Sequence, residues 1–177
     1  FKLLKISNMK KHVIYFMMLS VLALFSCKKE YKINKAATVD MSGEWWVQIY
    51  SEDDSTLQYD FSDLEGSLIT SNTSADVNTE LLVNLPSGTF GPFAFKVKAP
   101  IDYASTSFKL GTSLLNLNDS IAGITIHEGK IWKNAATAPS LHKTDSIRLV
   151  VEYVEDEPGV KYIFRGYKDT GWPEDRH

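Results

Sequence analysis

Ile147-Arg148-Leu149-Val150-Val151-Glu152-Tyr153, Val154-Glu155-Asp156-Glu157-Pro158-Gly159 and Val160-Lys161-Tyr162-Ile163-Phe164-Arg165 form the continuous stretch that sets the fold class. Side chains alternate between the two faces of an extended chain. Ile147, Leu149, Val151 and Tyr153 therefore share one face, with Arg148 and Glu152 opposite. Val160, Tyr162 and Phe164 alternate in the same way with Lys161 and Arg165. Between the two runs, proline presets φ and glycine accepts the positive φ that follows, so the middle is a turn. The spacing predicts a β-hairpin with one apolar face.

The same period recurs along the chain. Gly43 to Tyr50 places Trp45, Val47 and Ile49 on one face. Pro92 to Lys98 turns Phe93, Phe95 and Val97 inward, and Thr106 to Leu110 does so with Phe108 and Leu110. Ser120 to His127 reads as a strand that Gly129 to Lys133 extends or folds back upon. Weaker strands are expected at Leu57 to Phe61, Gly66 to Ser71 and Glu80 to Leu85. No window of a dozen residues keeps a helical stripe. The chain is therefore all-β, with about eight to ten antiparallel strands. One apolar face must be covered by closure or by stacking, which a small barrel and a sandwich satisfy equally.

The first residues are a separate matter. Met9-Lys10-Lys11-His12 is a short basic start, and Val13 to Phe25 is apolar except at Ser20. Thirteen helical residues reach roughly 20 Å, short of the roughly 30 Å hydrocarbon core of a bilayer. A secretory signal fits better than a permanent membrane helix, with Phe1 to Asn8 expected to precede the true start at Met9. Leu24-Phe25-Ser26-Cys27 resembles the bacterial lipobox, in which the thiol of the cysteine takes a diacylglyceryl group. Lipidation at Cys27 would also account for a lone cysteine in an exported chain. Acyl chains on one residue suffice for stable anchoring. The expected organisation is a lipoprotein signal peptide over residues 1–27, a flexible tether over 28–41 and one domain over 42–177.

Of the chain's 177 residues, positions 28–177 carry all 22 acidic residues against 15 basic ones, a net charge of −7. That balance argues against a nucleic-acid surface. One cysteine excludes a disulfide scaffold. No metal or cofactor is expected: the histidines show no His-x-His or His-x-x-x-His pair, and Glu52-Asp53-Asp54 lacks the spaced carboxylates of a calcium loop. There is no Gly-x-Ser-x-Gly elbow. His127 and Glu128 would point to opposite faces of a strand, and Ser140, His142 and Asp145 could meet in the connection from Asn134 to Thr144. Loop polarity explains the latter without catalysis.

Two segments carry a resemblance. Gly43-Glu44-Trp45 is similar to the Gly-x-Trp of lipocalins, whose tryptophan plugs one barrel end. Tyr162-Ile163-Phe164-Arg165-Gly166-Tyr167-Lys168-Asp169-Thr170-Gly171-Trp172-Pro173-Glu174-Asp175 is the more specific signal. With the lipobox, it resembles the lipocalin-like lipid-binding lipoproteins of Bacteroidetes, although Asp169 stands where the family pattern has a second basic residue. The resemblance implies a single up-and-down, lipocalin-like β-barrel of about eight strands. It further implies an apolar ligand, with a tentative hydrolase label attached.

The expected function is non-catalytic binding of a small hydrophobic, lipid-like molecule by a cell-envelope lipoprotein. The barrel lining would be Trp45, Val47, Ile49, Phe93, Phe95, Phe108, Leu149 and Phe164. The expected location is the outer membrane, with the domain in the periplasm or at the cell surface and its oligomeric state left open. The alternative is a glycan- or protein-binding accessory domain using Trp46, Trp132 and Trp172 on the outer face. Coplanar exposed tryptophans would favour a glycan, and an enclosed apolar cavity a lipid.

Overall fold

The computed structural model describes residues 35–52, 56–59, 67–86, 91–109, 113–118, 123–156 and 158–175. Cys27 and the expected signal peptide lie outside the described residues. No helix among the described residues is long and apolar enough to cross a membrane.

Ten strands are present among the described residues: β1 (Gly43–Ser51), β2 (Leu57–Tyr59), β3 (Leu68–Ser71), β4 (Glu80–Leu85), β5 (Phe95–Asp102), β6 (Ser107–Phe108), β7 (Ser113–Leu115), β8 (Gly123–Thr137), β9 (Lys143–Tyr153) and β10 (Lys161–Lys168). Around the ring the order is β1, β3, β4, β5, β6, β8, β9, β10, and β10 returns to pair with β1. This is a closed antiparallel barrel of eight strands, and it excludes the sandwich. The two remaining strands extend the ring. β2 continues beside β1 beyond β3, and β7 continues beside β8 beyond β6.

The hairpin that decided the fold class is β9 and β10. Leu149 faces Phe164 and Val151 faces Tyr162, all on the inner side. Gly159 in the connecting turn has φ +91°, as the Pro-Gly sequence requires. Two readings need correction. Phe93 is not a strand residue: Gly91–Phe93 is a 3-10 turn, and the strand starts at Phe95. From Gly123 the chain runs as one 15-residue strand, so Gly129 to Lys133 extends the earlier run rather than folding back on it. A register shift between Ile126 and Glu128 interrupts its alternation. Around this bulge, His127 bonds Glu152 at 2.5 Å and Glu128 pairs with Arg148, so neighbouring residues serve two separate outer contacts rather than opposite faces.

Inside the ring, Trp45, Ile49, Phe95, Leu149 and Phe164 are fully buried in one cluster with Val47, Phe108 and the inward residues of β4 and β8. A ring of eight strands is just wide enough for side chains to fill. The packed domain reaches back past Ser42, since Thr38 and Met41 are also buried. Residues 35–177 form one compact unit that contains both closing strands and the whole of this core.

One end of the ring is sealed. The Trp45 indole Nε1–H donates to Thr70 Oγ1 at 2.8 Å, and Thr70 donates to the Met41 carbonyl at 2.6 Å. Lys168 faces Trp45 across the β1–β10 junction. Its ammonium donates to the Ser42 carbonyl at 2.7 Å and lies 5.8 Å from the Trp45 ring centre. Burial draws the Lys168 pKa below the ordinary lysine value, partly offset by the charges of Asp145 and Asp40.

Further along the junction, Val47 faces Gly166. A Cβ at position 166 would lie 1.7 Å from the Trp46 carbonyl oxygen, so only glycine lets β10 approach β1. Trp45→Ala is expected to cost about 3–5 kcal/mol in urea unfolding. Gly166→Ala should cost at least as much, because the clash is with backbone that no rotamer relieves. Unchanged unfolding midpoints for either variant would contradict this account of closure.

Candidate functional site

At the opposite end of the barrel the described residues form no comparable plug, and its rim holds a cavity of about 540 Å3. Four chain segments build it. Pro92, Phe93 and Ala94 come from the approach to β5; Asn116 and Asn118 come from the β7–β8 connection and Gly123 from the start of β8. Tyr153, Glu155 and Asp156 come from the end of β9, and Tyr162 comes from the start of β10. The volume lies within the usual range for small-molecule sites.

The apolar side of the cavity is an aromatic corner. Phe93 meets Tyr162 edge-on, with ring centres 4.8 Å apart and planes at 77°. Tyr153 meets Tyr162 at 5.9 Å and 71°, and Phe93 at 6.2 Å and 70°. Phe95 carries the contacts downward, touching both Tyr153 and Phe164. The mouth therefore rests on the core without opening into it.

Polar bonds fix this corner. The Tyr153 hydroxyl donates to the Phe93 carbonyl at 2.6 Å, which ties the 3-10 turn to β9. Asn116 Oδ1 accepts from the backbone N–H of Lys96 at 3.0 Å and of Asn118 at 3.1 Å, which ties the β7–β8 connection to β5. Burial, followed by the negative charge of Asp156, raises the Tyr153 pKa well above the ordinary phenol value. The same causes, with a hydrogen bond to Asp156, raise that of Tyr162. Both phenols stay neutral at physiological pH.

Of the eight residues expected to line the barrel, Trp45, Val47, Ile49, Phe95, Phe108, Leu149 and Phe164 come together in the sealed core. Phe93 alone borders the mouth cavity. Tyr153 and Tyr162 belong beside it. The sequence signal for them was already present, because they are the inward strand positions flanking the hairpin turn on its two sides and a hairpin turn lies on a barrel rim. Asn116 had no such signal. Of the tryptophans expected on the outer face, Trp46 is buried at 8% exposure, while Trp132 and Trp172 are 40% and 50% exposed. Trp172 stacks on His142 with ring centres 5.1 Å apart.

The polar loop residues also come together, with a different acid. Ser140 Oγ donates to Asp175 Oδ2 at 2.8 Å and lies 3.1 Å from His142 Nδ1, while Asp145 bonds Lys133. A catalytic triad needs the imidazole in the middle, where it can take the serine proton while the carboxylate holds its other nitrogen. Here the serine is in the middle. Asp175 also accepts from the Ser140 backbone N–H at 2.6 Å and from Thr170, so the cluster clasps the C-terminal 3-10 turn to the β8–β9 connection. Among the described residues, no group of three or more His, Cys, Asp or Glu could hold a metal ion.

The chain matches the family model described as lipid-binding putative hydrolase over residues 30–173. It belongs to this lipid-binding family. No curated protein matches the chain. Membership and the barrel together fit a lipid-binding role.

The Asp175 clasp makes a pH prediction. Burial raises the carboxyl pKa, but hydrogen bonds from Thr170 and Ser140 outweigh it and hold the value below the ordinary aspartate range. A folded-state pKa below the unfolded one stabilises the protein above the unfolded value, and that contribution is lost as pH falls through the folded one. Asp175→Asn should therefore lower the thermal midpoint at neutral pH, with the gap to the parent protein closing as pH falls through the carboxylate range. A gap that stays constant with pH would contradict the clasp.

Proposed function

We infer that this protein is a cell-envelope lipoprotein, anchored through acyl chains on Cys27, whose barrel binds a small lipid-like molecule without chemical turnover. The aromatic-walled cavity at the barrel mouth carries this reading. Its wall of Phe93, Tyr153 and Tyr162 buries an apolar body, and its rim of Asn116, Asn118, Glu155 and Asp156 meets a polar end. The described lining residues include the carboxylates Glu155 and Asp156 but no serine, cysteine, histidine or lysine, so no Ser–His or Cys–His pair stands among them, which favours binding over hydrolysis. The lipobox-like Leu24-Phe25-Ser26-Cys27 supports the anchor.

The mature chain, residues 27–177 with Cys27→Ser to remove the acyl site, is the material for the binding test. N-phenyl-1-naphthylamine fluorescence should rise on mixing with it, and a co-purifying lipid should appear in organic extracts. Phe93→Ala removes aromatic burial worth about 1.5–3 kcal/mol and should weaken the probe by about tenfold or more. Ala94→Trp should fill the mouth and abolish the signal. Probe binding that survives both changes would place the site elsewhere. For the anchor, an azide-tagged fatty acid fed to producing cells should label the parent protein and not Cys27→Ala; equal labelling of both would refute lipidation at Cys27.

A second reading has one observation behind it. A shallower groove on the outer wall, lined by Trp132, Tyr167, Arg148 and Arg165, has the aromatic and donor chemistry of a glycan or protein contact. Trp132→Ala would weaken retention on such a partner and leave probe binding intact.

A further inference from the structure

The apolar wall of the mouth accounts for a hydrophobic body and says nothing about the head group. The charges around the cavity do. Glu155 and Asp156 both line it, and among the described residues neither is in an ion pair. No lysine or arginine is among the described lining residues. The nearest cation on β10, Lys161, is matched by Glu52 at 3.2 Å.

The aromatic corner has the same preference. Phe93, Tyr153 and Tyr162 meet pairwise at 70–77°, so whichever ring faces are open to the cavity present negative π density. Such faces attract ammonium groups and the polarised C–H bonds beside them. An anionic head group would meet two carboxylates and π faces with no donor cation to compensate. A cationic one would meet attraction from both, in a cleft whose low-dielectric walls strengthen it.

We propose that the mouth selects amphiphiles with an ammonium head group over those with a carboxylate, the hydrocarbon lying against Phe93, Tyr153 and Tyr162 and the cation beside Glu155 and Asp156. This rests on the mouth being the binding site and adds the ligand's charge. Two carboxylates beside aromatic rings call for a cation on a hydrocarbon chain, so a simple alkyl amine or quaternary ammonium is the minimal ligand. A carboxylate of equal chain length is its natural competitor.

The test uses the mature chain with Cys27→Ser and N-phenyl-1-naphthylamine as a neutral probe. Displacement is measured at pH 7 with dodecyltrimethylammonium, dodecanol and dodecanoate, each below its micelle concentration. The expected order is ammonium, then alcohol, then carboxylate, with about tenfold or more between the two ions at low salt and a smaller ratio at high salt. Glu155→Lys with Asp156→Lys, both at exposed positions, should reverse the order of the two ions. Glu44→Lys with Glu174→Lys makes the same change in net charge away from the mouth and should leave the order intact. Dodecanoate that displaces the probe as well as the ammonium, or a preference that survives charge reversal at 155 and 156, overturns the inference while the binding site stands. Failure of the probe and of all three amphiphiles to bind overturns the mouth reading itself, and the inference with it.

Discussion

A Cβ on residue 166 would sit 1.7 Å from the carbonyl oxygen of Trp46, and the barrel depends on its absence. β1 and β10 are the first and last strands, and their pairing turns a meandering sheet into a ring. The pairing runs from Trp45 opposite Lys168 to Ser51 opposite Tyr162, with Gly166 near its middle. The same junction that closes the ring sideways also closes one end of it, because its first pair brings the Lys168 ammonium to the Trp45 indole and the Ser42 carbonyl. The other end of the junction leads to Tyr162 and the mouth.

Closure leaves little room inside the ring. Eight strands enclose a lumen that Trp45, Phe95, Phe108 and Phe164 occupy with the aliphatic residues around them. Interiors packed in this way resist the insertion of even one methylene group. The inward-facing aromatic rings that border open space lie at the mouth, where the inward alternation of β9 and β10 runs out at Tyr153 and Tyr162 and the 3-10 turn adds Phe93. Tyr153 belongs to both worlds. Its ring touches Phe95 in the core, and its hydroxyl holds the turn that carries Phe93.

The sequence was most legible where alternation is uninterrupted. Glu80–Leu85 and the β9–β10 hairpin follow directly from period-two patterning and turn chemistry. It misled where geometry imitates or breaks that period. Phe93 and Phe95 are two residues apart like strand neighbours, yet Pro92 sits within a 3-10 turn that puts Phe93 on the rim. In β8, register shifts between Ile126 and Glu128 and between Trp132 and Ala136 break the alternation, so the pattern left open whether Gly129 to Lys133 extends the strand or folds back. β7 has an exposed–intermediate–exposed pattern with no apolar period to detect. The choice between barrel and sandwich was out of reach of patterning, because it turns on contacts between β1 and β10, more than a hundred residues apart. The partner of Ser140 was hidden for the same reason: Asp175 is 35 residues away, while Asp145 is near in sequence and bonded elsewhere.

The central claim is that the ligand binds at the mouth against a barrel interior that stays packed. Backbone and methyl chemical shifts of the mature chain, followed by nuclear magnetic resonance during titration with a dodecyl amphiphile, address it directly. The account expects saturable shifts at Phe93, Ala94, Asn116, Tyr153 and Tyr162, with Trp45, Val47, Leu81 and Ile131 unmoved. Shifts concentrated on Trp45, Val47 and Ile131, with the rim residues silent, would show a ligand inside the barrel and contradict it.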